Sequence, residues 1–163
     1  MAKKVTVELI DKYLNKHGWS KHMSKDEAGE KEGLVLTGWG GISGSHVVAI
    51  DPMSEKGALS FMVPKILNAP RDGTPADRLT GLLMALGKLN YKMIIGKFGY
   101  DPTDGEVMFQ IALPIDENDL TYEQFEHCLQ VLVSTIEVES PVLKGIVDGS
   151  MSVEDALSKV WPS

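Results

Sequence analysis

The chain has 163 residues, of which 43% are hydrophobic and 24% are charged, and its formal net charge is −7. This length and apolar content suit one domain over residues 1–163 with a full hydrophobic core, and they disfavour wholesale disorder. No apolar run approaches the ~18 residues of a membrane span, and a single cysteine excludes an internal disulfide. The first residues lack the apolar segment of a secretory signal, so we expect a cytoplasmic protein.

Charge is unevenly distributed along the chain. Residues 101–163 carry thirteen acidic residues and two lysines, and Arg71 and Arg78 are the two arginines of the whole chain. A nucleic-acid-binding protein needs clustered cations to displace counterions from phosphates, so nucleic acid is not an expected partner. The acidic third serves solubility or attracts a basic segment of a partner protein.

The first half of the chain predicts one helix followed by strands. An apolar stripe at helical spacing predicts a helix over about residues 6–17 that ends at Gly18. Residues 19–33 are polar and predict a solvated loop. Three short apolar segments then predict neighbouring antiparallel strands joined by short turns, over residues 34–39, 46–50 and 58–63.

The second half predicts a helix, a hairpin and further helices. Thr74 and Pro75 suit the N-cap and first position of a helix, and residues 93–100 and 106–115 predict a hairpin around a tight turn. Thr121 and Gln124 form a capping-box pattern at the start of the third helix. Ser140-Pro141 predicts the start of a separate short helix, and a last helix is expected over residues 152–161.

The resulting order is α-β-β-β-α-β-β-α with a C-terminal helical tail. Five antiparallel strands with the helices on one face predict an α+β two-layer sandwich.

The glycine-rich segment from Gly38 to Gly44 resembles a phosphate-binding loop only superficially. It lacks a Gly-Lys-Ser/Thr ending, and the next residues predict a strand where a phosphate site requires a helix N-terminus. Ser45 and His46 are neighbours on a strand and point to opposite faces, so they do not form an activated serine. We interpret the segment as a hairpin loop and predict no catalytic residues.

Metal ligands and reactive thiols are not expected either. His17 and His22 have no matching third ligand, and Asp101, Asp104 and Glu106 are explained by turn chemistry. Cys128 lies on the apolar stripe of the third helix, where it is expected to be buried and inert. The sequence therefore predicts no metal and no cofactor.

Two surfaces are candidates for protein binding. If the apolar residues of the last strand face the helices, the alternate residues lie on the uncovered sheet face. That face and a nearby aromatic residue give the predicted partner-binding set, namely Trp39, Met108, Gln110 and Ala112. The apolar second helix and the adjoining strand give the predicted homodimer interface, namely Leu79, Leu82, Leu83, Leu86, Ile94 and Phe98.

Several short segments between residues 87 and 149 carry a family resemblance. They read Lys88-Leu-Asn-Tyr91, Gly96-Lys-Phe-Gly-Tyr-Asp101, Asp104-Gly-Glu-Val107, Leu120-Thr-Tyr-Glu-Gln-Phe125 and Pro141-Val-Leu143. With the element order, they make the chain resemble the YbjN domain family, whose members share the fold of class I type III secretion chaperones. The resemblance implies a non-enzymatic domain, since the chaperone relatives are small, acidic homodimers that hold an extended partner segment.

The predicted function is a non-enzymatic, chaperone- or adaptor-like module that binds a segment of a partner protein, with a basic segment favoured by the acidity. One alternative is a small-ligand-binding or enzymatic domain that uses the Gly38–Gly44 loop. A second alternative is a structural subunit of a larger complex with a constitutive partner.

Overall fold

The computed structural model describes residues 5–25, 33–53, 56–116 and 118–160. Its helices are α1 (Val7–His17), α2 (Ala76–Lys92), α3 (Tyr122–Asp148) and α4 (Val153–Lys159). Its strands are β1 (Met23–Lys25), β2 (Leu34–Gly41), β3 (Gly44–Asp51), β4 (Ala58–Asn68), β5 (Lys97–Tyr100) and β6 (Glu106–Pro114). Within the described ranges, no helix combines the length and the apolar character that a membrane crossing requires.

The strands form one antiparallel sheet in the order β1-β2-β3-β4-β6-β5. The five predicted strands are all present, and β1 is an addition that lies inside the predicted solvated loop. The loop prediction for residues 19–33 is therefore wrong at Trp19, which packs against the core, and at residues 23–25. Residues 26–32 of that prediction lie outside the described residues.

The helices pack on one face of the sheet, which confirms the predicted α+β two-layer sandwich. Large aromatic side chains meet between the layers: the ring of Phe61 on β4 lies 5.3 Å from that of Phe125 on α3. Alternation along the strands places these inward residues opposite a second, uncovered face. The residues with no solvent exposure include Val35, Val48, Ile50, Leu59, Phe61, Val63, Val107, Phe109, Leu129 and Leu132.

The β2–β3 connection is tighter than predicted. β2 continues to Gly41 and β3 begins at Gly44, so most of the glycine-rich segment is paired strand. Gly44 has φ of +118°, a backbone conformation that side-chain-bearing residues rarely adopt. The turn itself consists of Ile42 and Ser43, which gives a two-residue hairpin loop.

α3 is one helix of 27 residues, so the predicted break at Ser140-Pro141 is wrong. The capping box of Thr121 and Gln124 at its start is confirmed. A proline inside a helix costs about 3 kcal/mol, because one hydrogen bond is lost and the ring meets the preceding turn. The helix continues because Ile136 and Leu143, on either side of Pro141, are both fully buried on the same face.

Smaller differences concern element ends. α2 is capped at Pro75 rather than Thr74, and β5 begins at Lys97 rather than at residue 93. α4 ends at Lys159, and Trp161 of the predicted last helix lies outside the described residues.

Candidate functional site

The uncovered sheet face presents a continuous row of side chains across all six strands. Cross-strand pairing places one residue from each strand in register along this row: Met23, Leu36, Ala49, Met62, Gln110 and Lys97, in that order. The first four are apolar and belong to β1, β2, β3 and β4. We call this surface the open face.

Two further apolar side chains extend the open face on one side of the row. Val47, paired with Gly38, is 53% exposed, and Met108 lies opposite Gly99. Gln110 donates from Nε2 to the hydroxyl of Ser60 at 2.9 Å, which orients the one amide in the middle of the face. A water-exposed surface of this apolar character on a sheet typically binds a protein partner.

Of the four predicted partner-binding residues, three share the open face. Met108, Gln110 and Ala112 alternate with the buried residues of β6 and point away from the helices. Trp39 lies on the other face, because it pairs with His46 and its Nε1 donates to Glu137 on α3 at 2.8 Å. The structure thus separates Trp39 from the other three.

The β5 edge of the sheet is covered by a side chain. Asn90 at the end of α2 donates to the carbonyl of Phe98 at 2.9 Å and accepts from its N–H at 2.8 Å. These two bonds occupy the backbone groups that an added strand would use at this position. A partner segment therefore has better access to the open face than to this edge.

The predicted dimer residues fall into two groups. Leu82, Leu86 and Phe98 are buried in the protomer's own core. Leu83 and Ile94 are 44% and 99% exposed. Leu79 is partly buried and packs against the core.

The exposed members lie in a larger apolar surface on the outside of α2 and the segment after it. We call it the α2 patch, and it contains Leu83, Met84, Tyr91, Ile94 and Ile95. Gly87 lies on the same side of the helix, and nothing lies within 4 Å of the position that a Cβ would take there. A small residue at the centre of an apolar helix face allows the backbone of another helix to approach closely.

A polar cluster joins the β2–β3 hairpin to α3. Glu137 accepts three hydrogen bonds: from Trp39 Nε1 at 2.8 Å, from the Ser43 hydroxyl at 2.8 Å and from the Ser43 backbone N–H at 3.0 Å. Lys144, two turns further along α3, donates to the Ser43 carbonyl at 2.9 Å. Ser43 Oγ also lies 2.7 Å from His46 Nε2. These five residues form the hairpin cluster.

The order of groups in the hairpin cluster differs from that of a nucleophilic triad. In a triad, histidine lies between serine and the carboxylate, whereas here Ser43 lies between His46 and Glu137. The serine has one proton, and because the carboxylate is the stronger acceptor, we infer that His46 Nε2 donates to Ser43 Oγ. Ser43 is also buried. The geometry therefore anchors the hairpin to the helix layer.

Electrostatics in the hairpin cluster agree with that interpretation. The Ser43 backbone N–H, followed by the Trp39 and Ser43 side-chain donors, lowers the pKa of Glu137 to about 2. Burial, and then the nearby Lys144 ammonium, lower the pKa of His46, while Glu137 acts in the opposite direction. Glu137 is therefore ionised at neutral pH and fixed by its donors.

This pKa shift predicts an acid-dependent loss of stability. Because the folded pKa of Glu137 lies below its ordinary value of 4.5, its contribution is fully present above about pH 4.5 and is lost towards pH 2. Glu137→Gln should lower the urea midpoint at pH 7, and the difference from wild type should close between these pH values. Glu123→Gln, an exposed position at the start of the same helix, is the matched control. A midpoint difference that persists unchanged at pH 2 would contradict the assignment.

The remaining candidate ligands have structural partners. His17 Nδ1 lies 3.4 Å from Glu126, and His22 Nε2 lies 3.1 Å from Asp11. Cys128 is buried as predicted, and burial raises the pKa of its thiol to about 11. In the described part of the chain, no group of three or more His, Cys, Asp or Glu side chains is placed to hold a metal ion.

Sequence reasoning missed Ser43, Glu137 and Lys144. Ser43 and Glu137 are 94 positions apart, so no local pattern connects them. A partial signal was present, since Ser43 lies in the predicted hairpin loop only three residues before His46.

Comparison with known proteins identifies one family. The model of the YbjN family, described as "Putative bacterial sensory transduction regulator", matches residues 6–138. The match extends from α1 into α3 and includes both the open face and the α2 patch, while α4 lies beyond it. No curated protein matches the chain.

Proposed function

Because the chain belongs to the YbjN family, we propose that it is a non-enzymatic, chaperone- or adaptor-like module that holds an extended segment of a partner protein on the open face. The observation that supports this most directly is the row of apolar side chains from Met23 to Met62, which the helices of the described structure leave uncovered. The family description, a sensory transduction regulator, is compatible with a domain that acts by binding.

The proposal favours a segment that lies across the open face rather than one that extends the sheet. Asn90 occupies the outward backbone groups of Phe98 on the β5 edge. The opposite edge strand, β1, has three residues within the described part of the chain, and these offer few backbone groups for pairing. Side-chain contacts with the apolar row would therefore supply most of the affinity.

We further propose that the module is a homodimer whose protomers meet through the α2 patch. The support is the exposed apolar set around Gly87 on the opposite layer from the open face, which would leave both open faces of the dimer accessible. Covering an exposed isoleucine such as Ile94 removes its apolar surface from water, which favours association.

The alternative of a ligand-binding or enzymatic loop at Gly38–Gly44 has less support. Most of that segment is paired strand, and Ser43 is held between His46 and Glu137. The Glu137 carboxylate lies where a Cβ at position 41 would be. The side of Gly41 that faces α3 is therefore already occupied.

Site-specific photocrosslinking tests the binding surface. A photoreactive phenylalanine derivative replaces Val47, which lies on the open face, or Val138, a matched exposed valine on α3 that is 65% exposed. The proposal expects crosslinks to one continuous partner segment from position 47 and none from position 138. Equal crosslinking from both positions, or crosslinking from position 138 alone, would show that the open face is not the binding surface.

A further inference from the structure

One end of the open face contains a hollow of about 370 Å³ between β5, β6 and the turn that joins them. Its apolar lining includes Met62 of β4 and Met108 of β6, with Tyr100 and Pro102 beside them. Asp101 of the turn and Glu106 at the start of β6 bring carboxylates to the same hollow.

A glycine positions the methionine that lines this hollow. Gly99 of β5 pairs with Met108, and a Cβ built on Gly99 would lie 2.9 Å from Met108 Cε. Any side chain at position 99 would therefore enter the hollow and displace the methionine. Because position 99 has no side chain, the thioether of Met108 lies against β5 and forms one wall of the hollow.

Backbone donors hold both carboxylates in place. The Thr103 N–H donates to Asp101 Oδ1 at 2.8 Å, and the Lys65 N–H donates to Glu106 Oε1 at 2.9 Å. Lys65 lies where the β4–β6 register shifts, and its φ of +48° turns its N–H towards Glu106. The bond from Thr103 also lowers the pKa of Asp101, so this carboxylate is charged at neutral pH. Among its lining residues the hollow has these two acids and no cation.

We propose that the hollow takes the side chain of an arginine or lysine from the partner segment, an inference that rests on the proposed function. The methionine side chains would contact the aliphatic stem, while Asp101 and Glu106 would accept hydrogen bonds from the charged group. Charge complementarity selects this occupant, since an acidic side chain would meet two like charges. An uncharged apolar side chain would leave both carboxylates without a counter-charge.

Methionine-methyl NMR with short peptides tests the assignment. The full-length chain, labelled with ¹³C at its methionine methyl groups, is titrated to millimolar concentration with acetyl-Leu-Arg-Leu-amide. The control peptide replaces arginine with citrulline, which has nearly the same shape and no charge. We expect saturable shifts of the Met62 and Met108 methyl resonances with the arginine peptide and much weaker binding of the citrulline peptide.

Variants locate the interaction within the face. Removing both charges with Asp101→Asn and Glu106→Gln should lower the affinity for the arginine peptide about fivefold, as expected for partly exposed ion pairs. Asp104→Asn, in the same turn but outside the lining, should leave the affinity unchanged. Lys97→Gln removes a cation from the same face and should not weaken binding.

The outcomes separate this inference from the proposed function. Equal binding of both peptides at Met62 and Met108 would overturn the inference and leave an apolar binding face in place. Tighter binding of a glutamate-containing peptide, or no shift of either methyl group with any peptide, would also overturn it. The proposed function is decided independently by crosslinking from position 47, which needs no basic side chain.

Discussion

Leu83→Glu should convert the proposed homodimer into a monomer without changing the stability of the protomer. Leu83 is an exposed member of the α2 patch, one turn before Gly87, where a carboxylate costs little in water but would be buried against the second copy. Surface substitutions of this kind change the free energy of unfolding by about 0.5 kcal/mol or less. Native mass spectrometry and urea unfolding of the same sample measure the two quantities.

Leu82→Glu, at the neighbouring position, should instead lower the stability of the protomer. Leu82 has no solvent exposure, so the introduced carboxylate would enter the core without a partner and destabilise the protomer by about 4 kcal/mol or more. Val138→Glu, on an exposed apolar position of α3, is the control for added charge and should affect neither mass nor stability. A wild-type protein with the mass of one protomer, or a dimeric Leu83→Glu variant, would show that the α2 patch is not a dimer interface.

These two leucines show how far periodicity predicts a site. The i, i+3, i+4, i+7 spacing of leucines identified α2 correctly, but most of the stripe that it marks faces the protomer's own core, and of its four leucines Leu83 alone is exposed. The other exposed apolar residues of the helix, Met84 and Tyr91, lie off that stripe. Periodicity alone does not distinguish a helix that buries one face from a helix that buries two.

The strands and the faces of their residues could be predicted to a similar degree. Alternation in β6 correctly placed Met108, Gln110 and Ala112 on the face opposite the buried residues. β1 was missed because Met-Ser-Lys has no pattern of its own, and it forms a strand through pairing with β2. The face of Trp39 was predictable, since alternation along β2 places it with the buried residues Val35 and Thr37, but it was grouped with the open face because it is aromatic.

Contacts between distant positions account for most of the other errors. The hairpin cluster joins residues of β2 and β3 to α3, and no local spacing in the sequence indicates Glu137 as their acceptor. Ser140-Pro141 resembles a helix start because serine is a good N-cap and proline suits the first turn. Apolar contacts on both sides of the proline outweigh that local preference, and they become visible only when the helix is packed against the sheet.

Glu139 is the buried acidic residue for which we expect the largest gain from substitution. It lies on α3 with only 5% of its surface exposed, and its Oε2 has no hydrogen-bond partner within the described structure. Burial raises the pKa of Glu139, and the nearby Lys88 ammonium opposes this only in part. Lys88 itself donates to the carbonyl of Leu157 on α4 at 2.9 Å, so it is already engaged.

Glu139→Met should therefore raise the free energy of unfolding at pH 7 by about 1–3 kcal/mol, the usual cost of an unsatisfied buried polar group. Methionine keeps the length of the side chain and favours a helix, and Lys88 retains its bond to α4. Since the folded pKa of Glu139 lies above its ordinary value of 4.5, the penalty grows as the pH rises through that range and is absent in acid, where the carboxyl is protonated in both states. Urea unfolding of the two proteins at pH 7 and pH 4 should therefore show a gain that shrinks at the lower pH. A variant less stable than wild type at pH 7 would instead show that Glu139 forms a favourable ion pair with Lys88.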